Sequence, residues 1–161
     1  MKRDWAVNRT CRHDGIMLHL QGNQEPLMTS FQAESSSSGK EFEDLVINDL
    51  LGKGYTVCST NTRLNDTGIE VDYVAEKDGV IEYGEAKGGR QGGKKVPGAR
   101  RTDNVKKALC NGALLKFKHP DRKFVVYFSA PPKVGSASEV MLFTAFEAGY
   151  IDEVRYLSYD S

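Results

Sequence analysis

Apolar side chains recur at Phe42, Leu45, Val46, Leu50 and Leu51 behind Ser38-Gly39-Lys40-Glu41, a capping-box pattern. Together they predict an amphipathic helix that opens at Ser38 and stops near Gly52 and Gly54. Residues 55–58 read as a short strand. Two β-prone runs, 69–76 and 80–87, flank Asp78-Gly79, a strong two-residue hairpin signal. A loop rich in Gly and Lys over 88–99 then leads to a helix from about Thr102 to Lys116, with Val105, Ala108, Leu109, Ala113 and Leu115 available for burial. Phe124 to Phe128 is a continuous apolar run of strand length ended by Pro131-Pro132, which predicts a central strand. Ser136-Ala137-Ser138-Glu139 is a second capping box, opening a helix that ends at Gly149 and buries either Val140, Phe143 and Phe146 or Met141, Leu142 and Ala145. A last strand covers 154–157. The order predicts an α/β fold, a mixed β-sheet flanked by helices.

Residues 1–38 follow neither period. They mix Gln, Asn, Ser and charges and close in Ser35-Ser36-Ser37-Ser38, so they read as a polar N-terminal extension and linker before a domain spanning 39–161. Short apolar stretches at 15–20 and 26–31 leave room for a strand or turn docked on the main body. With 161 residues, 39% hydrophobic and 27% charged, the chain has the size and composition of one globular core. No run of 18 apolar residues occurs and the first residues lack the apolar core of a signal peptide, so the expectation is a cytoplasmic protein with no membrane partner. Cys11, Cys58 and Cys110 are odd in number, far apart and without a Cys-x-x-Cys pair, which argues for reduced thiols and against zinc. His13 and His19 near Cys11 lack a fourth ligand. Lys plus Arg and Asp plus Glu are equal at 22 each, so any anion-binding surface must come from uneven placement of charge.

The hairpin supplies the chemistry. If Asp78 and Gly79 are its two loop residues, partners on the two strands have numbers that sum to 157, so Asp72 faces Glu85 and, on the same sheet face, Glu70 faces Lys87. Opposed carboxylates at about 4 Å repel by about 4 kcal/mol at an effective dielectric near 20. A divalent cation relieves that repulsion; Mg2+ in particular favours one or two carboxylates plus substrate phosphate oxygens. The alternative is a solvated face on which Lys87 neutralises Glu70 and Glu85. Glu43 lies at the edge of its helix's buried stripe, able to point toward the sheet or to remain a surface residue.

Glu70-Val71-Asp72 followed by Glu85-Ala86-Lys87, preceded by a helix bearing Glu43 and followed by helix and strand, resembles the PD-(D/E)XK nuclease superfamily over about residues 39–130. Val71 stands where the family's name has proline. The resemblance implies a restriction-endonuclease-like αβββαβ core with an extra C-terminal helix and strand. It implies that Asp72, Glu85 and the carbonyl of Ala86 bind Mg2+, with Mn2+ able to substitute. Lys87 would orient or help deprotonate the attacking water and hold the scissile phosphate, and Glu43 would be a further catalytic acid. Eight basic residues between Lys87 and Lys107 face a single acid, Asp103, and of these Arg90, Lys94, Lys95, Arg100, Arg101 and Lys106 are the expected contacts to a phosphate backbone. Arg100 and Arg101 stand at the mouth of a helix, whose N-terminus adds positive potential. The implied activity is a Mg2+-dependent endonuclease on double-stranded DNA, acting as a homodimer because one site cuts one strand. An RNA-cleaving nuclease of the toxin type and a non-catalytic nucleic-acid-binding module are the alternatives. Tyr73, Tyr83, Phe117, Phe124 and Tyr127 are assigned to packing; Trp5 fits a base stack or the domain edge equally.

Overall fold

The computed structural model describes residues 30–89 and 96–159. Its elements are α1 (Ser30–Gly52), β1 (Thr56–Arg63), β2 (Glu70–Lys77), β3 (Val80–Lys87), a 3-10 turn (Gly98–Arg100), α2 (Thr102–Lys118), β4 (Lys123–Phe128), α3 (Ala137–Glu147) and β5 (Glu153–Tyr156). They build one five-stranded mixed sheet in the order β1-β2-β3-β4-β5. The first three strands form an antiparallel meander. The chain then crosses through α2 to lay β4 parallel to β3, and through α3 to lay β5 parallel to β4.

Both sheet faces are covered, which is why β4 is buried without a charged side chain from Phe124 to Phe128. Phe42, Val46 and Leu50 of α1 pack on Tyr73, Ala75, Val125 and Tyr127. Val105, Ala108 and Leu115 of α2, with Leu142 and Ala145 of α3, pack on Val74, Tyr83, Phe124, Val126 and Phe128 from the other side. The hairpin turn forms at Asp78 and Gly79, whose φ of 52° and 79° both lie in the left-handed region that a two-residue turn of this hand requires.

Several expectations need correction. The helix opens at Ser30, not Ser38, so the serine run lies within α1; serine costs only about 0.5 kcal/mol per helical position relative to alanine, too little to stop a helix. Leu51 is exposed because the buried stripe runs at 42, 46 and 50. Phe117, assigned to the core, is 83% exposed on the outer side of α2, whose buried positions are Val105, Ala108, Gly112 and Leu115. On α3 the buried set is Leu142 and Ala145 with Met141, leaving Val140, Phe143 and Phe146 exposed. Half of the second capping box forms: Ser136 Oγ accepts from the Glu139 N–H at 3.3 Å, while the Glu139 carboxylate accepts from the N–H of Gly135, one residue before the N-cap. Cys58 is disulfide-bonded, against the reading of three reduced thiols, and Cys110 is an exposed free thiol. No helix among the described residues is long and apolar enough to cross a membrane. Of the expected extension over residues 1–38, residues 1–29 lie outside the described residues.

Candidate active site

The predicted hairpin register holds from Lys77↔Val80 to Tyr73↔Gly84 and then stops. The expected rungs Asp72–Glu85 and Glu70–Lys87 do not form. Beyond Gly84 the two strands part: Glu70 and Val71 continue to pair with Arg63 and Thr62 of β1, while Glu85, Ala86 and Lys87 continue to pair with Val126, Tyr127 and Phe128 of β4. Side-chain alternation breaks at the same point. Val71 packs in the α2 core and Tyr73 in the α1 core, although a two-residue period would put both on one face.

A side chain fills the gap this leaves in the ladder. The next hydrogen-bonded rung would join Ala86 to Val71; instead Asp72 Oδ2 accepts the Ala86 N–H at 2.6 Å. A carboxylate in place of a carbonyl makes this bond charge-assisted. Ser129 N–H donates to the Lys87 carbonyl, so Lys87 spends its backbone groups on the β4 side. Successive residues of a strand point their backbone groups to opposite sides, so the Ala86 carbonyl points, like its N–H, into the gap between β2 and β3.

Three predicted residues converge here. The Lys87 ammonium lies 3.3 Å from Asp72 Oδ2 and forms an ion pair with Glu85 Oε2. Glu85 is 1% exposed, and Asn111 of α2 donates to its Oε1 at 2.5 Å. Burial raises the Glu85 pKa, the Lys87 charge works against that rise, and Asp72 adds to it. For Lys87, burial pulls the pKa down, but Glu85 and Asp72 together outweigh it, so the amine is held as an ammonium. Glu43 approaches from α1. Its pKa is raised from 4.5 to about 7, first by burial and then by the Asp72 carboxylate, with Lys87 opposing. Glu70, by contrast, is turned away to the β1 register.

Asn111 was not singled out in the sequence. It lies beside the buried stripe of α2 at 105, 108, 112 and 115, where a polar side chain is a weak sign of a specific partner. The same amide nitrogen also donates to the Glu70 carbonyl at 3.3 Å, tying α2 to the point where β2 and β3 diverge.

In the glycine-rich loop after Lys87, Gly88 has a packing role: a Cβ there would collide with Phe42 of α1. Arg100 is exposed in the 3-10 turn, Arg101 precedes α2 and pairs with Asp103 at 3.4 Å, and Lys106 is exposed on α2. Arg90, Lys94 and Lys95 lie outside the described residues. Compared with family models, curated proteins and solved structures, the chain matches none of them.

Among the described residues no group of three or more His, Cys, Asp or Glu side chains is spaced to hold a metal ion. Mg2+ does not require one, since it retains several waters and binds through one or two carboxylates. Asp72, Glu85 and the inward-facing Ala86 carbonyl make a donor set of hard oxygens. Two carboxylates share one ammonium, so the cluster keeps excess negative charge. The residues therefore fit the ion, with Lys87 ceding part of its hold on Glu85 to it.

Proposed function

We propose that the chain is a Mg2+-dependent endonuclease hydrolysing phosphodiester bonds in DNA, on a restriction-endonuclease-like αβββαβ core to which α3 and β5 are added. The observation that carries this reading is the convergence of Asp72, Glu85 and Lys87 where β2 and β3 part. There two carboxylates and an ammonium meet beside an inward-facing strand carbonyl. The bound ion would polarise the phosphoryl group and lower the pKa of a water. The chain's own residues do the rest. Asp72 and Glu85 would hold the ion, and Asn111 keeps the Glu85 carboxylate in one orientation. Lys87, beside both carboxylates, is placed to neutralise charge gathering on the scissile phosphate and to orient the attacking water, whose proton passes to Lys87, Glu43 or bulk water. Arg100, Arg101 and Lys106 follow the site along the chain and suit backbone phosphates. Cutting both strands of a duplex calls for two such sites, hence a homodimer.

Supercoiled plasmid incubated with the protein and Mg2+ should be nicked, EDTA should prevent it, and Lys87→Ala should abolish it while DNA binding persists. Intact plasmid beside degraded RNA would move the reading to an RNA-cleaving enzyme. Nicking that survives both Asp72→Ala and Lys87→Ala would remove the site from the reaction.

A further inference from the structure

A cavity of about 790 Å3 opens where the three parallel strands β3, β4 and β5 end. Gly89 borders it after β3, Ser129 after β4 and Tyr156 at the end of β5; Asp44 and Asn48 of α1 and Arg100 of the 3-10 turn complete the part that matters here. The volume falls in the range of small-molecule sites. Gly89 is two residues from Lys87, so the Cα atoms of the proposed catalytic lysine and of the cavity's edge lie no more than about 8 Å apart.

The lining selects among ligands. Among the described residues its charged side chains are Glu41, Asp44 and Arg100, which puts one cation where a phosphate can meet it. Acids at such a wall accept hydrogen bonds from the exocyclic amino groups of bases. Tyr156 is 50% exposed, and its ring is stacked on Phe128, with centroids 6.5 Å apart and planes 29° from parallel. That leaves an oriented aromatic surface, and every base has a face able to stack on one. The Ser129 hydroxyl is occupied with the Gly89 carbonyl at 2.9 Å, which fixes the cavity's edge to the end of β3.

We propose that this cavity takes one unpaired nucleotide of the substrate strand, with its base on Tyr156, its phosphate at Arg100 and an exocyclic amine donated to Asp44. The inference rests on the endonuclease reading and extends it. The preferred substrate carries an unpaired residue beside the cut, as a single strand, a flap or a base turned out of the duplex does.

The test titrates dCMP, dTMP and deoxyribose 5-phosphate into the full chain in EDTA, by calorimetry. Expected is binding of dCMP, several-fold weaker binding of dTMP, which lacks the amine, and weaker binding still of the sugar phosphate. Tyr156→Ala should weaken dCMP roughly 5- to 150-fold, while Tyr156→Phe retains it. Asn48→Trp, at an exposed helix position, should block the cavity without touching the core, and it keeps the test sound if the Tyr156→Ala chain does not fold. Equal binding of dCMP and sugar phosphate, or dCMP binding unmoved by Asn48→Trp, overturns the proposal. The two readings separate cleanly. Mg2+-dependent nicking by a chain that does not bind dCMP overturns the cavity assignment alone, and dCMP binding by a chain that never nicks supports the cavity while refuting the endonuclease.

Discussion

Glu43 offers a measurement of the site's electrostatics that does not depend on catalysis. Its carboxyl sits half-buried on α1 with a pKa raised from 4.5 to about 7, because burial disfavours its charge and Asp72 repels it. The folded protein therefore binds this proton more tightly than the unfolded chain does. Below pH 4.5 the carboxyl is protonated in both states and has no effect; as pH climbs from 4.5 to 7 the folded state progressively loses stability. Full conversion at 1.36 kcal/mol per pKa unit gives about 3 kcal/mol, and partial solvent exposure of the group reduces that to about 1–2 kcal/mol. Glu43→Gln keeps the shape and removes the titration. Urea unfolding of both proteins in EDTA at pH 4.5 and pH 8 isolates the term, since other titrating groups are common to both. The variant should gain about 1–2 kcal/mol on wild type between the two pH values. Mg2+ at pH 8 should narrow the gap by drawing off the Asp72 charge. A stability difference that does not change with pH would refute the reasoning.

Two further predictions concern the frame that holds the site. Arg155 of β5 donates to both carboxylate oxygens of Glu82, at 2.8 and 3.0 Å, where Glu82 is only 1% exposed. Tyr73 and Lys123 remain as partners of Glu82 when the guanidinium is removed, so Arg155→Met should cost about 3 kcal/mol, the low end for breaking a buried pair. In a denaturation double-mutant cycle with Glu82→Gln the double variant should lose at least about 1 kcal/mol less than the sum of the singles, and strict additivity would refute a direct coupling. A Cβ at Gly84 would overlap the Tyr73 ring, whose hydroxyl donates to Glu82. Gly84→Ala should therefore cost about 3–4 kcal/mol through overpacking and a lost buried hydrogen bond. Calorimetry should show a Tm lower by about 6–16 °C, and an unchanged Tm would mean that the ring has room to move.

The parts of this protein legible in its sequence are those set by neighbours along the chain. Asp78-Gly79 dictates a tight turn because few other residue pairs tolerate two positive φ angles in succession, and the turn sets the register for every rung it reaches. Hydrophobic runs name the strands, and Ser136 with Glu139 names the start of α3. Periodicity failed where it was degenerate: α3 is apolar on both sides, so only its packing against α2 and the sheet decides that Leu142 and Ala145 are inside. Propensity failed for α1, where serines too weak to stop a helix resemble a linker. The centre of the candidate site was legible only in part. Asp72, Glu85 and Lys87 come together as the hairpin arithmetic suggested, yet by a different contact, because β2 follows β1 and β3 follows β4 once Gly84 is passed. Whether two strands stay paired depends on what binds their outer edges, and that is a long-range property. So is the place of Asn111 against Glu85, which exists only because α2 crosses over the divergence. Local sequence thus chose the residues, and the competition among non-local pairings decided which atoms meet.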